Sequence, residues 1–183
     1  MRPVRVHDAR DIARVVLADL PDRWRHTVGV ARRAEELAAT VPDEDREDLV
    51  AAAWLHDIGY AEELIDTGFH PLDGARFLDR HLWPVRVSGL VARHSGAAFV
   101  AEARGLGDAL AVYPNEESPV SDALTYADQT VGPDGCRVAV DRRMADMLRR
   151  HGPDSPNASV HHVRAPYLRA VADRVEWRLA LEH

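Results

Sequence analysis

Apolar residues recur every three to four positions along almost the whole chain, which is the spacing of one face of an α-helix. No alternating run of apolar and polar residues is long enough to form a convincing β-strand. The pattern therefore predicts an all-α fold class, built as a single-domain helical bundle. The predicted helices span residues 12–20, 24–38, 49–58, 72–82, 85–94, 97–104, 118–129, 138–151 and 165–180.

Residues that begin or end helices lie at the borders of these segments. Pro21 ends the first helix, and Gly59 is placed as the C-terminal stop of the third. Ser118-Pro119 forms a favourable N-cap and N1 pair for the helix that reaches Gln129. Residues 131–135 are rich in Gly, Pro and Asp and predict a turn.

The chain length of 183 residues predicts one domain, over residues 1–180, with a core large enough to need no disulfide. The last three residues, Leu181-Glu182-His183, resemble the start of a cloning scar that leads into a His-tag. We therefore set residues 181–183 apart from the predicted domain.

The composition argues against several classes of protein. A net charge of -7 disfavours binding to a nucleic-acid polymer, which needs clustered cations. Cys136 is the single cysteine, so no intrachain disulfide can form, which favours a reducing compartment. There is no apolar run of about 18 residues to cross a membrane, and residues 1–5 lack the apolar segment of a signal peptide. We expect a cytoplasmic protein without membrane or nucleic-acid partners, and the oligomeric state is left open.

The strongest functional signal is the pair His56-Asp57, which follows the apolar segment 51–55. Burying a His beside an Asp is costly unless a partner satisfies both. A divalent cation can do so, because neutral imidazole and carboxylate are both good ligands; the alternative is a hydrogen-bonded pair at a helix end. Asp128 lies near a helix C-terminus, where the helix dipole disfavours a carboxylate and a positive partner would help.

His26, His56-Asp57 and Asp128, in this order, resemble the signature of the HD-domain superfamily of metal-dependent phosphohydrolases. Residues 56–59 also match the HDIG form of its central motif. The resemblance covers about residues 20–135, and residues 137–180 would form C-terminal helices outside this core. It implies an HD-type fold in which these four residues are metal ligands.

Two further histidines, His70 and His94, are similar to the additional ligands of dinuclear members of the superfamily. The alternatives are a loop or N-cap residue for His70 and a helix-terminal residue favoured by the dipole for His94. The resemblance implies one or two divalent metal ions, with Mn, Fe, Co, Ni and Zn all compatible. The implied arrangement is His26, His56 and Asp128 on one metal, His70 and His94 on the other, and Asp57 as the bridge.

The resemblance implies a phosphohydrolase that uses a metal-activated hydroxide on a small phosphoester or nucleotide. The implied catalytic residues are Asp57, His70 and His94, with Arg93 as the phosphate-binding cation beside His94. Arg23, Arg25 and Arg137 are further cationic candidates near the motif residues. One alternative is a dinuclear-iron oxygenase of the HD type acting on a polyol or phosphonate. The other is a non-catalytic module that keeps the fold and binds a ligand.

Overall fold

The computed structural model describes residues 5–182. Within this range all regular structure is helical, apart from one isolated β-bridge between Val131 and Arg137. The predicted all-α fold class is therefore confirmed. None of the helices in the described range is long and apolar enough to cross a membrane. The α-helices are α1 (Val6–Val16), α2 (Pro21–Glu36), α3 (Arg46–Leu55), α4 (His70–Arg80), α5 (Val85–Arg93), α6 (Ala97–Ala103), α7 (Gly107–Ala111), α8 (Pro119–Gln129), α9 (Val140–His151), α10 (Pro156–Ser159) and α11 (His161–Leu181).

Each of the nine predicted helices is present, with its ends displaced by up to several residues. Ser118 caps α8 as predicted, since its side chain accepts a hydrogen bond from the backbone N–H of Ser121 at 3.2 Å. The short helices α7 and α10 are absent from the prediction, because four or five residues carry too little periodicity to reveal a helix. Residues 1–4 and His183 lie outside the described residues, and with them most of the segment tested for a signal peptide and the last residue of the predicted scar.

Helix α3 is the centre of the bundle. Seven consecutive residues, 49–55, are buried, so the helix is enclosed on all sides. Its neighbours are α1, α2, α5 and α8. Because His56-Asp57 follows directly, the end of α3 delivers two polar side chains into the interior of the protein.

Gly59 has a different role from the predicted helix stop. Helix α3 already ends at Leu55, and Gly59 lies in the 3-10 turn Ile58–Tyr60. A Cβ atom on Gly59 would lie 2.0 Å from the carbonyl oxygen of His70 and 2.7 Å from the backbone nitrogen of Gly74. Glycine is needed here because the first turn of α4 packs directly on this backbone, and that packing brings His70 towards Asp57.

The C-terminal helix α11 is fixed to α8 by a buried carboxylate. Asp122 of α8 accepts hydrogen bonds from Arg174 at 2.6 and 2.9 Å and from Arg178 at 2.9 Å. Helix α9 contacts both α8 and α11. The C-terminal helices are thereby held beside the end of α8 that carries Asp128.

Candidate metal centre

Four side chains from three helices converge on one buried point. His26 comes from α2, His56 and Asp57 follow α3, and Asp128 comes from α8; each residue is at most 6% exposed. His26 Nε2 lies 2.9 Å from Asp128 Oδ1, and His56 Nε2 lies 3.4 Å from Asp57 Oδ2. His56 Nε2 is also 3.8 Å from Asp128 Oδ1. The structure thus brings together four residues separated by up to about one hundred positions in the sequence.

Backbone carbonyl groups fix the orientation of three histidines near this point. A carbonyl oxygen can only accept a hydrogen bond, so the ring nitrogen beside it carries the proton. In a neutral imidazole, Nε2 then keeps its lone pair, the form that binds a metal. The pairs formed by a histidine Nδ1 and a carbonyl oxygen are His26 with Gly132 (3.1 Å), His56 with Ala53 (2.7 Å) and His94 with Val91 (2.6 Å).

This arrangement fits a metal ion. With Nδ1 protonated, the lone pair of His26 Nε2 faces Asp128 Oδ1, so a proton or a cation must lie between these two acceptors. His56 Nε2 is buried and has no hydrogen-bond partner among the described residues. Leaving a buried polar atom without a partner lowers the stability of the folded protein. Two sets of side chains have ligand atoms within 4.8 Å of one another: His26, His56 and Asp128, and His56, Asp57 and His94.

The two oxygens of Asp57 face different groups. Oδ2 faces His56 and accepts a hydrogen bond from Arg23 Nη1 at 2.8 Å, whereas Oδ1 lies 3.3 Å from His70 Nε2. Burial alone would raise the pKa of Asp57, but His56 and Arg23 hold that pKa well below its ordinary range. The carboxylate is therefore ionised and lies between the His26–His56 side and the His70 side of the cluster.

His70 and His94 complete the cluster. The His70 ring stacks on Tyr60 with ring centroids 4.0 Å apart, and its centroid lies 5.4 Å from that of His94. Burial lowers the pKa of both histidines. Both rings are therefore held neutral, the state required of an imidazole ligand. All six residues predicted as ligands lie in one cluster, and their binding of metal stays a prediction.

Ser95 and Gln129 support Asp128, and sequence reasoning missed both. Ser95 Oγ donates a hydrogen bond to Asp128 Oδ2 at 2.5 Å, and Gln129 Nε2 donates to the same oxygen at 2.9 Å. Ser95 has a left-handed backbone with φ of 56°, and its N–H donates to Thr125 Oγ1 at 3.0 Å. A non-glycine residue with positive φ stores strain and often marks a functional site, but no local sequence signal reveals it.

Arg93 does not point into the cluster. Its guanidinium donates hydrogen bonds to the carbonyl oxygens of Tyr113 and Leu110 at 3.0 to 3.3 Å. Adjacent residues on a helix diverge by about 100°, so Arg93 faces away when His94 faces inward.

Arg25 and Arg137 are exposed and form ion pairs with Asp22 and Glu36. Of the four arginines considered from the sequence, the structure brings only Arg23 into the site.

A cavity of about 140 Å³ opens over the cluster, and several arginines line it. Arg143 Nη2 lies 3.5 Å from Asp128 Oδ1, while Arg23 is hydrogen-bonded to Asp57. Three of the lining arginines lie after the loop that follows α8, in a region where sequence reasoning assigned no function. The five are Arg23, Arg104, Arg143, Arg150 and Arg164.

The family model of the HD domain matches residues 23–131. The chain belongs to the HD-domain family. The match spans more than half of the chain and includes every predicted metal ligand, but it does not extend to α9, α10 or α11. It identifies the HD domain in general, so the HDIG form stays a prediction. Members of this family bind divalent metals and are mostly metal-dependent hydrolases. Comparisons with curated proteins and with solved structures found no match.

Proposed function

We propose that this HD-domain protein is a metal-dependent phosphohydrolase acting on a small phosphoester. The observation that carries the proposal is the convergence of imidazole lone pairs and two carboxylates on one buried point, with His56 Nε2 left without a partner. His26, His56, Asp57 and Asp128 would hold one divalent ion. His70 and His94 would hold a second ion on the other side of Asp57.

A bound divalent cation supplies Lewis-acid activation of water and neutralises charge on a phosphoryl oxygen. The chain's own residues contribute the remaining functions. Asp57, kept ionised beside Arg23, supplies one oxygen to each half of the cluster. Neutral His70 and His94 present uncharged ligands that do not repel a cation.

Arginines in the cavity favour a phosphorylated substrate over a neutral one. Arg23 and Arg143 lie against the two carboxylates of the centre, close to the place where a phosphoryl group would bind. Guanidinium groups bind phosphate oxygens through charge-assisted hydrogen bonds. This positive lining supports hydrolysis of a phosphoester more directly than oxidation of an uncharged polyol.

The test is metal analysis of anaerobically purified protein, followed by a panel of phosphomonoesters and phosphodiesters with the metal found. We expect bound divalent metal and hydrolysis of at least one ester. Asp57→Ala should abolish both while the far-UV circular dichroism stays helical. Asp154→Ala, at an exposed loop position, is the control and should retain both. Full metal content in Asp57→Ala would overturn the assignment of this centre.

The same sample addresses the two alternatives. A dinuclear-iron oxygenase would contain iron with an electron paramagnetic resonance signal and would consume oxygen with a polyol or phosphonate. A non-catalytic module would be loaded with metal and inactive on the whole panel. Either result would replace the proposed hydrolysis.

A further inference from the structure

Arg164 is a buried cation that has no carboxylate partner among the described residues. It lies in the first turn of α11 and is 7% exposed. Its Nε donates a hydrogen bond to the carbonyl oxygen of Ser95 at 2.9 Å, and its side chain lines the cavity above the metal centre. An unpaired buried charge is strongly destabilising. Arg164 is therefore short of an anion on the side that faces the cavity.

Arg150 adds a second unpaired charge to the same cavity. It lies in the last turn of α9, and within the described range its guanidinium forms no hydrogen bond or ion pair. Its side chain is exposed overall, but desolvation of the part that lines the cavity and the charges of Arg143 and Arg23 lower its pKa. Arg23 and Arg143 have carboxylate partners in the centre, whereas Arg150 and Arg164 have none between residues 5 and 182.

Arg150 and Arg164 come from a different part of the chain from the metal ligands. The matched HD segment, residues 23–131, holds the His and Asp cluster. Arg104, the fifth lining arginine, lies within that segment and donates hydrogen bonds to the carbonyl oxygens of Thr67 and Gly68. Arg150 and Arg164 lie beyond the segment, on α9 and α11. The C-terminal helices thus add positive charge to a site whose carboxylates are already paired with other arginines.

The cavity is small. Its volume of about 140 Å³ is close to the roughly 150 Å³ that encloses a benzene molecule in a protein core. It can therefore enclose a phosphoryl group and a few further atoms. Arg164 lies close to the metal centre, because Ser95, whose carbonyl oxygen it contacts, donates a hydrogen bond to Asp128. A group that meets Arg164 therefore lies within a few bonds of a phosphoryl group at the centre.

We propose that Arg164 and Arg150 form an anion subsite for a second negatively charged group on the substrate. The substrate class is then a small phosphomonoester that carries a carboxylate or a second phosphate a few bonds from the ester. This inference rests on the proposed function for the placement of the first phosphoryl group. The anionic group supplies Arg164 with its missing counter-charge and Arg150 with its first partner.

The test uses phosphonates, whose P–C bond replaces the ester bond that a phosphoester hydrolase cleaves, and calorimetric titration of the metal-loaded protein without oxygen. Phosphonoacetate and ethylphosphonate are similar in size and differ by one carboxylate. We expect the wild-type protein to bind phosphonoacetate at least about tenfold more tightly, as charge-assisted hydrogen bonds predict. Methylenediphosphonate in a parallel titration shows whether a second phosphoryl group is preferred to a carboxylate.

Arg164→Met and Arg150→Met should each reduce the preference for phosphonoacetate. In the double variant, the affinities for phosphonoacetate and ethylphosphonate should differ by no more than about twofold. Because Arg150 is exposed, its variant keeps the test valid if Arg164→Met fails to fold. Arg169→Met is the matched control, since Arg169 lies on α11 but pairs with Asp141 outside the cavity. It should keep the full preference.

Three results would overturn the subsite: no preference in the wild type, an unchanged preference in both variants, or no binding of either phosphonate. An unchanged preference would mean that the metal itself chelates the second anionic group.

Hydrolysis of ethyl phosphate and phosphoglycolate is measured separately. If neither ester is cleaved but the arginine-dependent preference holds, the proposed reaction fails and the subsite stands. If esters are cleaved without that preference, the subsite fails alone.

Discussion

At the residue scale, the centre depends on backbone carbonyl groups as much as on its six side chains. His56 and His94 each use Nδ1 to cap a carbonyl group three residues earlier, at the ends of α3 and α5. Carbonyl groups in the last turn of a helix lack intrahelical partners. The same hydrogen bond therefore completes the helix end and leaves Nε2 free for a metal.

His70 tests whether the centre holds two ions. Its Nε2 faces Asp57 Oδ1, on the opposite side of Asp57 from His26. We expect His70→Ala to lose about one equivalent of metal and to keep the other, because its removal leaves His26, His56 and Asp128 intact. Metal analysis by mass spectrometry after gel filtration measures the stoichiometry.

His81→Ala is the matched control, because His81 is an exposed histidine at the other end of α4. It should leave the metal content unchanged. A wild-type stoichiometry near one, or loss of all metal in His70→Ala, would contradict the two-ion arrangement.

The sequence was sufficient to select the six clustered residues, because the buried polarity of His56-Asp57 is a local signal and the resemblance to the HD-domain superfamily implied the rest of the set. It was not sufficient to orient the arginines. Arg93 adjoins His94 in the sequence but lies on another face of the helix, whereas Arg164 is 36 positions beyond Asp128 and meets the site only through tertiary packing. The supporting contact of Ser95 depends on a positive φ that no local pattern encodes.

At the element scale, the decisive contact is the one between the turn that follows α3 and the first turn of α4. Periodicity predicted both helices, and Gly59 was recognised as a break. The close approach that explains Gly59 joins segments about eleven residues apart and requires their three-dimensional packing. This contact determines whether His70 reaches Asp57.

Substitutions of two glycines on either side of this contact test its role. Gly59→Ala would place Cβ 2.0 Å from the carbonyl oxygen of His70, so α4 must shift. We expect a loss of about 1–3 kcal/mol in the free energy of unfolding and a weaker second metal site. Chemical denaturation and metal titration measure the two effects.

Gly74→Ala is the control, because Gly74 lies on the facing side of the same contact. Its added Cβ would lie 3.3 Å from the backbone nitrogen of Gly59, a tight contact that requires a shift of only a few tenths of an ångström, and alanine is favoured over glycine within a helix. We expect a clearly smaller loss of stability than in Gly59→Ala. Equal losses in both variants would mean that the packing of Gly59 has no special role.

At the scale of the whole molecule, Arg86 links three segments distant in the sequence. This arginine of α5 forms ion pairs with Asp45, Asp48 and Glu116. Hydrogen bonds from Arg86 lower the pKa of Asp45 and of Glu116, whereas burial raises the pKa of Asp48. The network therefore joins the approach to α3, α5 and the approach to α8.

Arg86→Met should lower the free energy of unfolding by about 1 kcal/mol or less at pH 7, as expected for partly exposed ion pairs. Asp45 and Glu116 have folded pKa values below their unfolded values, so their stabilisation is present above about pH 4 and is lost as the pH falls through the lower folded values. Burial raises the pKa of Asp48 in both proteins, and Arg86 partly offsets that rise, so this ion pair changes the difference between wild type and variant in the same direction as the other two. Thermal melts should show a difference in melting temperature between wild type and variant that closes from pH 7 to pH 2.5.

Arg14→Met is the control, because it removes an exposed pair with Asp11. It should melt at almost the same temperature as the wild type. A difference between wild type and Arg86→Met that does not depend on pH would contradict the linkage.

The metal centre itself should contribute to the stability of the whole bundle, because its ligands come from α2, α4, α8 and the ends of α3 and α5. A metal ion that binds only the folded state adds about 2.7 kcal/mol when its free concentration is about 100-fold above Kd. Chelation should therefore lower the melting temperature of the wild type by several degrees while the helical circular dichroism at 25 °C is unchanged. In Asp57→Ala, chelation should not lower the melting temperature further, because this variant has already lost the metal that the chelator would remove. A chelator that lowers both melting temperatures equally would show that the stabilising metal binds outside this centre.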